Sequence, residues 1–140
     1  VIGHGKGSPP DLQHRAGRHI VDAMRMHGVR RLIALTGAGV RAPQDQPKFF
    51  DHFMRGLLGT LQGAILRDSE AYADIIRTSG LDWTLVRGPM LTEGPARGQY
   101  RVGWAGVNAG PRIARADLAD FMLKQLTSSE YVGKTPVVSD

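Results

Sequence analysis

Three short glycine-bearing segments carry the residue types best suited to holding an anionic or planar ligand: Gly3-His4-Gly5-Lys6-Gly7-Ser8, Thr36-Gly37-Ala38-Gly39 and Gly88-Pro89-Met90. Glycine has no Cβ, so a ligand can approach the main chain closely and meet its N–H donors. The second segment follows the apolar run Arg31–Thr36, and the third follows Trp83–Arg87. Both runs read as strands, and open parallel sheets bind ligands at the carboxyl ends of their strands. Thr36-Gly37-Ala38-Gly39 reads equally as a plain turn, and the residues alone leave both readings open.

The first segment is not a Walker phosphate loop. That motif needs Gly-Lys-Ser or Gly-Lys-Thr in succession, and Gly7 stands between Lys6 and Ser8. A flexible loop lying over a cofactor suits it better. The hydroxyl groups placed to donate a proton are Thr36, Ser69 and Tyr72. A lysine four residues after a tyrosine would lower its pKa by proximity of positive charge, but that position holds Ile76, so Tyr72 reads as a helix packing residue. With no cysteine there is no disulfide, thiolate nucleophile or cysteine-zinc site. His4, His14, His19, His27 and His52 match no zinc spacing and read as single surface histidines; no metal site is expected. Met24, Met26, Met54, Met90 and Met122 read mostly as core.

The elements that position these residues alternate. Val1-Ile2 reads as the end of a strand. Leu12, Ala16, Ile20, Ala23 and Met24 recur at steps of three and four, predicting a helix over 11–27 that Gly28 ends. After the strand Arg31–Thr36 and a polar loop to Pro47, residues 48–61 and 64–78 read as helical, with Gly56, Gly59 and Gly63 leaving open whether they form one broken helix. Ser79-Gly80 turns the chain into the strand Trp83–Arg87. Met90 to Pro95 reads as loop, Gln99–Val102 and Arg112–Ala114 as short extended pieces, and Gly103–Pro111 as a surface excursion. Asp117 is placed to cap a last helix carrying Leu118, Phe121, Met122 and Leu126 on one face, and Thr135–Val138 supplies a final strand. This rhythm predicts a three-layer α/β architecture around a parallel sheet, in one domain over residues 1–140.

Composition fits that class. The 140 residues are 41% hydrophobic and 22% charged, the balance of an ordinary globular chain. No apolar run approaches the roughly 20 residues of a membrane helix, and a cytoplasmic location is expected. The net charge of +5 favours an anionic partner such as a nucleotide cofactor. Arg15, Arg18, Arg25, Arg30 and Arg31 cluster around the first helix and its exit without interleaved aromatics, which favours a solvated helix face over a nucleic-acid surface.

The segments AGRHIVDAMRMHGVRRLIALTGAG (16–39), IIRTSGLDWTLVRGPML (75–91), GQYRV (98–102) and RIARADLADFMLKQLTSSEYVGKT (112–135) together resemble the atypical short-chain dehydrogenase/reductases with an NAD(P)H-binding Rossmann domain. Within that group the chain is most similar to the flavin reductase and biliverdin reductase B type. The resemblance implies strands four to seven of the family fold and the cofactor NAD or NADP, with a small-molecule acceptor as second partner. It also implies that Gly3, His4 and Gly5 line the cofactor, that Thr36, Gly37 and Ala38 face the nicotinamide, and that Gly88, Pro89 and Met90 contact its carboxamide side. Thr36 is the one local hydroxyl, since Gly37 replaces the serine of the flavin-reductase-like members, and so becomes the candidate catalytic residue. Where other members carry a Tyr-x-x-x-Lys dyad, this chain has Gln62 and Leu66.

The expected activity is NAD(P)H-dependent reduction of a flavin-like, quinone-like or other small acceptor. The alternative is a non-catalytic dinucleotide-sensing or interaction module of the NmrA-like kind. The family's glycine-rich pyrophosphate loop has no counterpart in these 140 residues, so the resemblance implies a fragment that by itself holds dinucleotide poorly.

Overall fold

The computed structural model describes residues 2–46 and 49–140, and over 49–62 the helical backbone alone. The elements in chain order are α1 (Leu12–Met26), β1 (Arg31–Gly37), α2 (Phe49–Arg77), β2 (Asp82–Gly88), β3 (Met90–Thr92), β4 (Arg101–Gly103), β5 (Arg112–Ala114), α3 (Arg115–Lys124) and β6 (Val137–Ser139). The main sheet has the order β1-β2-β6-β4, and β3 pairs with β5 in a separate two-stranded ladder. β1, β2 and β6 are parallel, as expected, while β4 runs antiparallel to β6. None of the described helices is long and apolar enough to cross a membrane.

The continuous apolar runs of β1 and β2 follow from a sheet covered on both sides. Side chains alternate across a strand, and here both sets are buried. Ala34 and Leu85, with Leu32 and Trp83 beside them, pack with Val40, Tyr72, Ala73 and Ile76 in the core under α2. Val86 and Val138, with Ile33 and Leu35, pack with Ile113, Leu118 and Phe121 in the core under α3. Two cores on opposite faces of one sheet make three layers.

α1 lies against α2, and the closest approach uses a glycine. A Cβ on Gly17 would stand 2.6 Å from Cδ2 of Tyr72, whose ring is buried in the α2 core. Tyr72 is therefore the packing residue its sequence context suggested, and burial pushes its phenol up to about 12. Alanine at position 17 would gain roughly 0.5–1 kcal/mol of helix propensity. Overpacking against a ring that cannot retreat costs about 1–3 kcal/mol and should win. Gly17→Ala is thus expected to lower the unfolding midpoint in a urea titration; a raised midpoint would mean the helices separate freely.

Several expectations change. Gly56, Gly59 and Gly63 do not divide the second helical region, which is one helix from Phe49 to Arg77. Ile2 is not part of a strand; its carbonyl accepts from Gln13 Nε2 at 3.0 Å. Met90 to Thr92, read as loop, forms β3, because its backbone finds the edge of β5. Gly103 is buried rather than part of a surface excursion, since a Cβ there would lie 2.3 Å from the Val107 carbonyl oxygen. Met26 and Met90 are exposed at 79% and 64%, so neither is core, and Leu126 falls beyond the end of α3 and is exposed. His52, Met54 and Gln62 lie outside the described side chains.

Asp117 does not cap α3. The helix begins two residues earlier, at Arg115, with Ala114 as its cap. The Asp117 carboxylate is buried in the first turn, and its Oδ1 instead accepts from the backbone N–H groups of Arg97 and Gly98, each at 2.8 Å. A carboxylate in the first turn also suits the helix dipole, so one residue stabilises α3 and holds the loop before β4.

Candidate functional site

The carboxyl ends of β1 and β2 bring together one group of the expected site residues. Thr36 is the register partner of Arg87, and Gly37 that of Gly88. Beyond the strands, the Ala38 N–H donates to the Gly88 carbonyl at 3.0 Å, which extends the pairing by one bond. Thr36 is 4% exposed, and its Oγ1 is one of three fully buried polar side-chain atoms without a hydrogen-bond partner among the described residues, with Trp104 Nε1 and Gln125 Oε1. Of the three, Thr36 alone sits at the end of a parallel strand, where α/β sheets place ligands. Gly37 next to it is exposed, and a Cβ there would meet no atom within 4 Å. A buried hydroxyl without a partner costs about 1–3 kcal/mol.

Gly88 is packed differently. A Cβ on it would sit tightly against Leu118 and Leu91, each at 3.2 Å, and in ordinary contact with Leu35 at 3.6 Å, so a larger residue there requires these side chains to shift. Its carbonyl already accepts from Ala38, and the Met90 N–H already donates to the Pro111 carbonyl at 3.1 Å. Pro89 has no N–H to offer.

The loop bearing Gly3, His4 and Gly5 is held from α2. His4 Nε2 lies 2.7 Å from Asp68 Oδ2, with side chains 9% and 2% exposed, so His4 is not the isolated surface histidine its spacing suggested. The same carboxylate accepts from the backbone N–H groups of Gln13 at 2.8 Å and His14 at 2.9 Å. These are the second and third residues of α1, whose own Asp11 makes no side-chain cap bond. Asp68 therefore caps α1 from another helix. Desolvation pushes its carboxyl up, and the bonds from His14, Gln13 and His4 outweigh it, leaving it below the ordinary carboxylate range. Gly3 and Gly5 are exposed, and a Cβ on Gly3 would meet nothing within 4 Å. Two residues before Asp68, Leu66 Cδ1 stands 3.3 Å from where a Gly39 Cβ would be. α2 thus touches both the His4 loop and the loop after β1 within one helical turn.

Sequence reasoning missed the largest polar feature of the region. Arg87, at the end of β2, is completely buried, and its Nη2 lies 2.6 Å from Asp45 Oδ1. Arg87 Nη1 donates to Asp45 Oδ2 and to the Val40 carbonyl, both at 2.8 Å, and Nε donates to the Thr135 carbonyl at 2.9 Å. Asp45 also accepts from the backbone N–H of Ala42 at 2.8 Å and of Ala105 at 3.0 Å. Burial pushes the Asp45 carboxyl up, and the Arg87 guanidinium with these amides carries it below its usual range. A signal was available. An arginine closing the apolar run Trp83–Val86 needs an acid, and Asp45 is the one acidic residue between β1 and Gln46.

A shallow cleft of about 360 Å³ lies elsewhere, between the start of α1 and α2, lined by Pro10, Asp11, His14, Ala64, Arg67, Asp68 and Ala71. It does not include Thr36 or Gly37.

The model of a protein family described as NAD(P)H-binding matches residues 1–129. Among solved structures, the chain is similar to ChuY, an anaerobillin reductase from Escherichia coli O157:H7, with a TM-score of 0.75 and 18% identity over 99% of this chain and 61% of that one. It is similar to a protein of Bacillus halodurans assigned by name to the NAD-dependent epimerases/dehydratases, with a TM-score of 0.75 and 20% identity over 100% and 62% of the two chains. A short-chain dehydrogenase/reductase from Veillonella parvula, solved in complex with NADP, matches with a TM-score of 0.72 and 18% identity over 91% and 58%. At these identities the likeness carries the Rossmann-like fold. The chain spans about three fifths of the length of each of these structures.

Proposed function

We propose, for a chain that belongs to the NAD(P)H-binding family, that it serves an NAD(P)H-dependent reductase, with the nicotinamide end of the cofactor received at the carboxyl ends of β1 and β2. Its cofactor class, NAD or NADP, follows from that membership. The observation that carries the reading is Thr36 Oγ1, buried without a partner beside the open backbone of Gly37. Thr36, Gly37 and Ala38 would hold the nicotinamide side. Gly3, His4 and Gly5 are the proposed second contact, and Gly88, Pro89 and Met90 the third. When bound, NAD(P)H supplies a hydride.

The chain's own contribution is orientation. A buried hydroxyl can fix a polar ligand group with one hydrogen bond, and transfer to a flavin-like or quinone-like acceptor depends chiefly on proximity and alignment. Thr36 can also pass a proton to the acceptor side, and no Tyr-Lys dyad is needed for that acceptor class.

The test is NADPH and NADH oxidation by the full-length protein with FMN or a quinone as acceptor. Turnover is expected. In Thr36→Ala the kcat should fall about tenfold, the equivalent of one lost hydrogen bond of roughly 1.4 kcal/mol. An unchanged kcat would remove Thr36 from the site. Dinucleotide binding without turnover of any acceptor would favour the sensing module instead.

A further inference from the structure

We infer that Asp45 and Arg87 are a positioning pair for the loop after β1, acting on the nicotinamide side through backbone contacts without touching the cofactor. The inference rests on the reading above that the ends of β1 and β2 receive the nicotinamide.

The partners of the pair are the reason. Apart from each other, Arg87 and Asp45 bond only main-chain groups: the carbonyls of Val40 and Thr135 and the amides of Ala42 and Ala105. Those four groups belong to three separate segments. Val40 and Ala42 lie in the loop after β1, Ala105 in the turn after β4, and Thr135 just before β6. No side chain of a core residue is gripped. What the pair determines is where three loops stand relative to the end of β2.

Energetics point the same way. A buried ion pair is a weak device for stability, because a well-packed apolar pair of similar volume does as well or better. A pair that also satisfies four main-chain groups, with the arginine fully buried, holds a geometry that apolar packing would leave loose. The loop in question starts after Gly37, one residue beyond Thr36, the cross-strand partner of Arg87, and among the described residues no other strand guides it before α2. Val40 itself is 1% exposed, so the tether reaches the loop from below and leaves Gly37 open above.

The experiment compares wild type with Asp45→Asn in the full-length protein. Asparagine retains one oxygen that can accept from Ala42 or Ala105, but it lacks the charge and second acceptor that hold Arg87. With FMN or a quinone as acceptor, kcat is expected to fall about 100-fold, the scale of loss for a reacting group displaced by 1 Å. The affinity for 2′-phospho-ADP-ribose or ADP-ribose, which lack nicotinamide, should not change. If the wild type binds NADPH without turnover, the readout is instead the affinity of NADPH over 2′-phospho-ADP-ribose, which should fall in the variant. An unchanged kcat, or in that second case an unchanged ratio, overturns the inference and leaves the functional reading intact. A wild type that neither binds nor oxidises NAD(P)H overturns both. Should Asp45→Asn fail to fold, amide exchange of the wild type decides: Ala42 and Ala105 must be protected before NADPH is added, and exchange at the rate of free loop amides overturns the inference.

Discussion

Arg87→Met is expected to reduce the free energy of unfolding by about 3–5 kcal/mol, the cost of breaking a buried ion pair by removing one partner. Methionine fills much of the arginine stem's space, so the loss is electrostatic more than steric. It leaves Asp45, 11% exposed, without its cation, and it strips the carbonyls of Val40 and Thr135 of their donors. Urea unfolding monitored through Trp83, which packs against the core under α2, would measure it. The combination with Asp45→Asn should cost less than the two single changes added, because the second change removes the charge that the first one stranded. The pH dependence has a definite sign. Asp45 has a folded-state pKa below its unfolded value, so its contribution is present above about pH 4 and is lost as pH falls through the folded-state pKa. The penalty of Arg87→Met should therefore shrink in acid. A loss under 1 kcal/mol at neutral pH would show that the loop rearranges to solvate Asp45.

How much of this was legible in the sequence depends on the physics of each element. β1 and β2 could be read because burial on both faces makes a short strand uniformly apolar, and Gly28 and Gly80 mark the turns before them with backbone φ of 68° and 70°. The helix from Phe49 to Arg77 could not be read as continuous, since three glycines lower its local propensity. The antiparallel β4 is three residues long and has no alternation to reveal its direction. Of the candidate site, the sequence offered residue types and their places along the chain. Thr36 and Gly37 followed from their place after a strand, and the structure puts them beside Arg87 and Gly88.

The polar anchors were the hidden part, for one reason. Asp45, Asp68 and Asp117 all accept backbone N–H groups from segments distant in the chain, and such acceptors carry no local pattern. Asp117 looked like a cap because Asp near a helix start usually is one. Asp68 lies within a helical stretch, and nothing nearby in sequence announces that it serves another helix. Together these carboxylates hold the loops before α1, after β1 and before β4, so the loop geometry of the strand ends is set by three acids on the sheet's flanking elements and in its own loop.

Asp68→Ala should accordingly be among the most damaging single changes. It removes the cap of α1, worth about 1 kcal/mol, and leaves buried donors unpaired at a cost of about 1–3 kcal/mol each. The groups affected are the amides of Gln13 and His14 and the His4 ring, so a total loss of about 3 kcal/mol or more is expected at neutral pH. Asp68→Asn separates the parts of that loss. Its single oxygen can serve one of the two helix amides, and its amide nitrogen cannot accept from the others, so about half of the destabilisation should return. The acid limb supplies an independent check. Because the Asp68 carboxyl is held below its ordinary range by His14, Gln13 and His4, the wild type should be stable down to about pH 4 and weaken below it, as the carboxylate is protonated and the cap weakens. In Asp68→Asn that part of the acid sensitivity is absent, and the curves of stability against pH should converge at low pH. Parallel curves would mean that ionisation of Asp68 adds nothing to stability and that α1 is capped by water instead. Convergence would establish that the ionised Asp68 carboxylate on α2 stabilises the fold through the start of α1 and its His4 contact.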